Sequence, residues 1–211
     1  MKVAVIGANG QVARIVERFL IADKDIDPVL FLRKSDRLTD LQNDAQIIEG
    51  DARNVKELTE AIKGCELVYA NLNGSGQSGV AAKALVDAMH AAGVKRLIWV
   101  STIGIYNEVP GKFGEWNNRM LNDYLPLYHE ASDIIENSDL EYTIVRPSWM
   151  TDKNEVDYEK FAKGQEFTDT EVSRKSVAAY IFHIIRNPQE DKFQSIGLGK
   201  PGTAGDKPSW Y

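Results

Sequence analysis

The sequence predicts a doubly wound α/β protein, a mostly parallel Rossmann sheet of six to seven strands with helices on both faces. Three observations predict it. Strand-like and helix-like segments alternate at least five times along 211 residues. The strand segments are continuous apolar runs such as VAVI, LVYA and LIWV, without the in-out alternation of a half-exposed sheet. The first of them runs into GANGQVA, a glycine turn that opens a helical pattern. Such alternation packs as parallel strands joined by right-handed crossovers, and ligands of these sheets bind beyond the carboxyl ends of the strands.

Residues 2–6 read as a strand buried on both faces. Across 11–21, Val12, Ile15, Val16 and Phe19 recur at helical spacing. Asp27-Pro28 then punctuates, 29–32 form a second strand, and the polar segment 34–44 has room for one or two helical turns. Residues 45–48 give a third strand, ended by Gly50-Asp51. Asn54 caps a helix running to 63, with Glu57 as its capping-box partner. Residues 67–70 are a fourth strand, 71–76 a loop, and 80–92 a helix closed by Gly93. A fifth strand at 96–100 leads into a looser region, 103–114, marked by Gly104, Pro110, Gly111 and Gly114. Two helical patterns lie between 115 and 137, with Pro126 either interrupting them or opening the second. A sixth strand at 142–145 is halted by Arg146-Pro147, 148–170 is irregular, 173–187 is a helix and 193–198 a last strand. The Gly/Pro-rich tail, 199–211, is extended, and either docks on a neighbouring subunit or folds back over the cleft.

With 43% hydrophobic and 27% charged residues, the chain supports one sizeable core. The expectation is a single domain over 1–211 with a small substrate lobe around 148–170. A net charge of −6 without a long basic block argues against a nucleic-acid partner. No apolar run approaches the ~18 residues of a membrane-span candidate. The opening MKVAVIG lacks the apolar core and cleavage site of a secretory signal. A lone cysteine, Cys65, fits a reducing compartment. Together these predict a cytoplasmic protein without a membrane partner. Three scattered histidines and one cysteine give no metal-ligand spacing, and no G-x-S-x-G elbow is present. His90 and His183 read as structural.

The GANGQVA turn has the chemistry of a pyrophosphate grip. Gly7 lets the chain leave the strand sharply, and Gly10 removes a side chain where backbone must approach the ligand. The following helix aims its free N–H groups and positive dipole end at the anion. The predicted contacts are Gly7, Asn9, Gly10, Gln11 and Val12, with Ala13 small enough for the packing position. The bland alternative is a tight turn without a ligand. NAD-binding turns carry an acid at the end of the second strand, to bond the ribose 2′-hydroxyl. Here that place holds Arg33-Lys34, which would pair with a 2′-phosphate, so NADP is preferred and NAD remains possible. Alternatively the two cations form a solvated turn. Asp51, beside Ala52, either accepts from an adenine amino group or is a turn residue. Asn71, Leu72 and Asn73 either let backbone approach the cofactor or form a plain loop.

GANGQVA, GDARN after the third strand, WVSTIGIY around the fifth and LEYTIVRPSWM around the sixth together resemble the atypical, NmrA-like branch of the short-chain dehydrogenase/reductase superfamily. The resemblance covers nearly the whole chain and implies a seven-stranded Rossmann sheet with a bound nicotinamide dinucleotide. It also implies a catalytic Ser or Thr after strand five, matched by Ser101 or Thr102, and a Tyr with a Lys four residues on. Tyr128 lies 27 residues past Ser101, but its helix reads YHEAS, so Ser132 stands in the lysine's place. A hydroxyl supplies no positive field, so Tyr128 is expected to keep a pKa of ~10, which puts the standard alcohol-dehydrogenase mechanism in doubt. His129 and Tyr106 are the other candidate proton donors, with bland readings as a surface helix residue and a packing aromatic. Arg146-Pro147-Ser148 resembles the R-P-G turn that opens the substrate loop. Trp149 and Met150 then form an apolar wall for a flat substrate, or pack against the C-terminal lobe. Two functions follow from these readings. One is an NADP-dependent oxidoreductase acting on a small carbonyl, quinone or flavin. The other is a non-catalytic NADP-binding redox sensor with a protein partner. The oligomeric state is open.

Overall fold

The structure is a computed structural model and describes residues 1–72 and 77–211. Asn73, one of the predicted contacts, lies outside the described residues. In chain order the elements are β1 (Lys2–Ile6), α1 (Gln11–Ala22), β2 (Asp27–Leu32), a 3-10 segment (Ser35–Leu41), β3 (Gln46–Glu49), α2 (Val55–Ile62), β4 (Leu67–Ala70), α3 (Ser78–Ala92) and β5 (Arg96–Val100). There follow α4 (Gly111–Met120), α5 (Leu125–Glu136), β6 (Glu141–Pro147), β7 (Trp149–Thr151), β8 (Glu159–Phe161), β9 (Glu171–Ser173), α6 (Arg174–Arg186) and β10 (Gln194–Gly199). The sheet order is β3-β2-β1-β4-β5-β6-β10-β8, and a separate two-stranded sheet pairs β7 with β9. All pairings in the large sheet are parallel except β8 on β10.

Alternate residues of each central strand feed opposite layers. Val3 and Val5 of β1 pack with Val12, Val16 and Leu20 of α1 and with Ile181 and Ile184 of α6. Ala4 and Ile6 pack with Leu58 of α2, Leu85 and Met89 of α3, and Ile135 of α5. This double burial is why the strand sequences are apolar throughout. A third cluster of Ile103, Val109, Phe113, Trp116 and Phe167 stands outside these two layers.

Several boundaries differ from the sequence expectation. The sheet has eight strands, because the segment read as irregular contributes the three-residue antiparallel edge strand β8; the same segment supplies β7, which pairs with β9 outside that sheet. Strands this short carry no readable alternation. β6 runs through Arg146-Pro147 instead of stopping before them. Proline is tolerated as the last residue of the strand, where its carbonyl accepts from Ile103 N–H at 3.3 Å. α3 begins at Ser78, and α4 begins at Gly111, inside the region read as loose. Gly114 is there for close packing, since a Cβ at this position would collide with the Val109 carbonyl. Pro126 opens α5 from within its first turn. Asn54 caps α2 as expected, accepting from the amides of Lys56 and Glu57. Glu57 does not close the capping box, because Asn54 N–H already donates to the Asp51 carbonyl at 2.9 Å. Its carboxylate takes Asn54 Nδ2 and Asp51 N–H instead, at 2.7 and 2.8 Å.

The loop after β5 is fixed by a buried ion pair. Arg146 is fully buried and pairs with Glu108, itself 3% exposed at the side chain. The guanidinium also donates to Ser195 Oγ at 3.0 Å and to the carbonyls of Ser195 and Phe161. Removing one member of a buried pair leaves the other charge uncompensated, at about 3–5 kcal/mol. Glu108→Ala should therefore lower unfolding stability by about that much, measured by urea denaturation. Glu108→Gln, which keeps an acceptor, should cost distinctly less.

Candidate functional site

The glycine turn sits at the carboxyl end of β1 and is stitched to both neighbouring strands. Gly7 and Ala8 N–H donate to the Phe31 carbonyl of β2 at 3.0 and 3.1 Å. Asn71 N–H, just past β4, donates to the Ile6 carbonyl at 2.8 Å. Gly7 has φ +82 and faces the Asn71 carbonyl, leaving no room for a Cβ. At Gly10 a Cβ would overlap the Asn71 side-chain amide. Both glycines are thus required by contact, and Gly7 by its conformation as well.

The amides of Gly7, Ala8 and Gly10 are consumed within the protein, Gly10 N–H by the Gly7 carbonyl at 3.2 Å. Asn9, at φ +86, gives its N–H to Glu17 Oε1 at 3.3 Å. The first bond of α1 runs from Arg14 N–H to the Gly10 carbonyl. The N–H groups of Gln11, Val12 and Ala13 find no acceptor among the described residues. Glycine at the N-cap has no side chain to satisfy them, and no acid lies in the first turn of α1. The Val12 side chain is buried in the core, and neither Gln11 nor Val12 is among the residues that line the cavity above the turn.

Glu17 is wholly buried beneath this turn and paired with Arg14 at 3.1 Å. Arg14 in turn pairs with Asp40. Desolvation raises the Glu17 carboxyl above its ordinary range, against the Asn9 N–H and Arg14, which pull it down.

Above the turn lies a cavity of about 450 Å³. Gly7, Asn9, Gly10, Arg33, Lys34, Asp51, Ala52, Asn71 and Leu72 all line it, so the structure brings most of the predicted cofactor contacts together. Asn71 is buried, and both polar atoms of its side chain lack a partner among the described residues. Buried amides are normally satisfied, so this one is consistent with a polar ligand. Asp51 does not present a free carboxylate. Arg53 donates to both its oxygens, through Nε at 2.9 and 3.1 Å, and this holds its pKa down at about 2. Arg53 also donates to Gln77 and so spans the cavity from the β3 side to the start of α3.

Two cationic wall residues escaped the sequence reading, Arg37 and Arg53. Arg37 follows Arg33 by four residues, and the 3-10 segment folds it back to the same mouth. That spacing was the available signal. Arg33, Lys34 and Arg37 form no ion pair among the described residues, so three exposed cations converge at one end of the cavity.

Ser101, Thr102 and Tyr128 stand apart from this cavity. Ser101 follows β5, is buried, and shares a 3.2 Å hydrogen bond with the buried Ser132 hydroxyl. The position read as the missing lysine is therefore filled by a serine that engages Ser101 itself. Tyr128, one helical turn before Ser132, is half-buried, and burial raises its hydroxyl above the ordinary value expected from sequence. Tyr106 is held elsewhere. Its hydroxyl meets Glu136 at 2.9 Å and Ser195 at 3.2 Å, its ring lies under Lys163 and Arg146, and His129 packs edge-on against it. His90 and His183 make side-chain bonds to Asp139 and Glu190.

Comparison with known proteins agrees with this geometry. Residues 7–188 match the profile of the NAD(P)H-binding family. A short-chain dehydrogenase/reductase from Veillonella parvula, solved in complex with NADP, is 31% identical, with TM-score 0.92 over 99% of this chain and 98% of that one. A Rossmann-fold NAD(P)-binding family protein from Shigella flexneri is 39% identical, with TM-score 0.83 over 98% and 97%. Bacillus subtilis YhfK, named an uncharacterized sugar epimerase, is 28% identical over 84% of this chain and 85% of its own.

The Glu17 pair sets a testable pH dependence. A raised folded pKa means that the native state holds this proton to higher pH than the unfolded chain does. The contribution from this group therefore falls as pH rises from the ordinary carboxylate range through the raised value. Glu17→Gln should flatten that part of the stability profile, read from urea midpoints between about pH 4 and pH 8. Glu17→Ala, which strands the Asn9 amide, should cost about 1–3 kcal/mol.

Proposed function

The chain belongs to the NAD(P)H-binding family of short-chain dehydrogenase/reductase proteins, and from that premise we propose that it is an NADP-dependent oxidoreductase acting on a small carbonyl, quinone or flavin. The carrying observation is the cavity itself, at whose mouth Arg33, Lys34 and Arg37 form no ion pair among the described residues, next to a helix start whose first amides find no acceptor among them.

In this reading Gln11, Val12 and Ala13 N–H bind the pyrophosphate, with Asn71 Nδ2 beside them. Arg33, Lys34 and Arg37 hold the 2′-phosphate, the arginines by forked donation that a lysine alone cannot make. Phe31, Ala52, Leu72 and Ala81 supply apolar walls for the purine. Asp51 acts by fixing Arg53. When bound, the nicotinamide supplies hydride. Thr102 orients the substrate oxygen or the carboxamide, since the Ser101 hydroxyl is already bonded to Ser132. Tyr128, raised by burial and without a neighbouring lysine, stays protonated at neutral pH. It therefore acts as a neutral donor rather than a base, which favours reduction of the substrate. The β7–β9 pair and the segment between serve as the substrate lobe.

The Ser101–Ser132 bond also favours a second reading, an NADP-binding sensor without turnover that signals to a protein partner. NADPH consumption against a panel of quinones, flavins and aldehydes separates the two. Turnover supports the oxidoreductase, and tight NADPH binding with no acceptor reduced supports the sensor.

The 2′-phosphate assignment has its own test. Loss of a charge-assisted contact is worth about 1.5–3 kcal/mol, or about ten- to hundredfold in Kd. Arg33→Ala and Arg37→Ala should each weaken NADPH by that factor and leave NADH within about twofold, measured by cofactor fluorescence titration. Equal losses for both nucleotides would remove the assignment.

A further inference from the structure

A second cavity, of about 300 Å³, lies along the flank of α1 and shares no residue with the cofactor cavity. Ile15, Arg18 and Phe19 line one part of it. Their i, i+3, i+4 spacing puts them on one face of the helix. The rest of the lining comes from the point where the small sheet ends. β7 and β9 pair in parallel with Thr151 opposite Ser173, so the two chains leave that sheet side by side. Asp152, Lys153 and Asn154 continue from β7, while Arg174 and Lys175 open α6. Ser173 ties the two segments together. Its hydroxyl donates to the Glu155 carbonyl at 2.7 Å and accepts from Ser176 N–H at 2.9 Å.

Four cations line this cavity against one carboxylate, in a chain whose net charge is −6. Lys153 is matched by Glu171 at 3.4 Å, and Arg174 by Asp152 at 2.9 Å. The neighbouring Glu155 carboxylate is taken by Lys200 at 2.8 Å. Arg18 and Lys175 form no ion pair among the described residues, so two positive charges are left over. Lys175 reaches the neutral side-chain oxygen of Asn154 at 2.8 Å. Arg174 Nε is buried and has no partner among the described residues, whereas buried donors are normally satisfied. Beside these charges lies apolar surface. Ile15 and Phe19 are half-buried, and the Phe19 ring leans on Phe182 with centroids 5.6 Å apart.

We propose that this cavity is a second anion site, which takes a phosphate monoester carried on a small apolar body. Charge selects the phosphate. A monoester carries about −1.5 to −2 at neutral pH, which two unmatched cations balance, whereas a carboxylate would leave one of them over. Arg18 and Lys175 pair with the phosphate oxygens, Arg174 offers its idle Nε, and the apolar body rests on Ile15 and Phe19. The site stands apart from the cofactor cavity, so its ligand is not the hydride acceptor, and the proposal does not depend on the oxidoreductase reading.

The test uses the full chain with phenyl phosphate as the probe, followed by equilibrium dialysis in excess NADP⁺. Saturable binding should persist, because NADP⁺ occupies the other cavity. Arg18→Ala and Lys175→Ala should each weaken it about three- to tenfold. Arg18 is exposed, so its removal leaves the core untouched. Lys112→Ala, which removes an exposed lysine outside this cavity, should leave the constant within about twofold. Inorganic phosphate, which has no ring to bury, should bind about threefold or more weakly than phenyl phosphate. Displacement of the probe by NADP⁺, an unmoved constant in Arg18→Ala, or phenyl phosphate binding no tighter than inorganic phosphate each overturns the proposal. Absence of saturable binding in the parent does so as well.

Discussion

The organising constraint is the absence of side-chain volume where the first turn meets the loop after β4. Gly7 and Gly10 lie against the backbone and side chain of Asn71 so closely that neither position admits a Cβ. That contact brings the end of β1 next to the end of β4, while the Phe31 carbonyl draws the same turn toward β2. Three strand ends are thus gathered around one corner. The first amides of α1 stay open because the residue that would cap them is a glycine. A serine or asparagine at that N-cap would satisfy the helix and close the corner to an anion. The turn forgoes local helix stability in favour of a binding surface.

A second constraint holds the other half of the sheet. Arg146 is buried without solvent access, and its partners come from the loop after β5, from β8 and from β10. That loop is also clamped by Tyr106 between Glu136 and Ser195. The residues between Ser101 and Val109 therefore form a pinned surface and not a mobile lid. Trp149 is aimed by this arrangement, because the strand that carries Arg146 leads directly to it.

What the sequence made legible follows from how local each cause is. The parallel sheet was readable because double burial makes strands apolar throughout. The glycine turn was readable because glycine, then a helical pattern, is a local signature. The edge strand β8 was not readable, since three residues carry no periodicity and β8 exists only because β10 offers it an open edge. The early start of α4 was hidden because Gly114 looks like a breaker until the Val109 carbonyl above it is seen. Arg53 was missed for a related reason. Its place on the cavity wall depends on Asp51 and Gln77, which come from opposite sides of the site. Asp51 reads equally as an adenine contact or a turn residue, because the sequence does not show that Arg53 claims its carboxylate.

The serine at position 132 links packing to chemistry. It is fully buried and bonded to Ser101, so the space that a lysine ammonium would need is taken up by a compact polar contact. A charge at that depth would require a partner, whereas two hydroxyls satisfy one another. The consequence falls on Tyr128, which loses the field that would lower its pKa and is raised further by burial. On the proposed assignment the tyrosine is a poor base, so removing a proton from an alcohol is the step that suffers most. A conjugated ring accepting hydride spreads the resulting charge over its own atoms and takes its proton from solvent. On that assignment, serine at this position disables one half of the superfamily's chemistry and leaves the other half open.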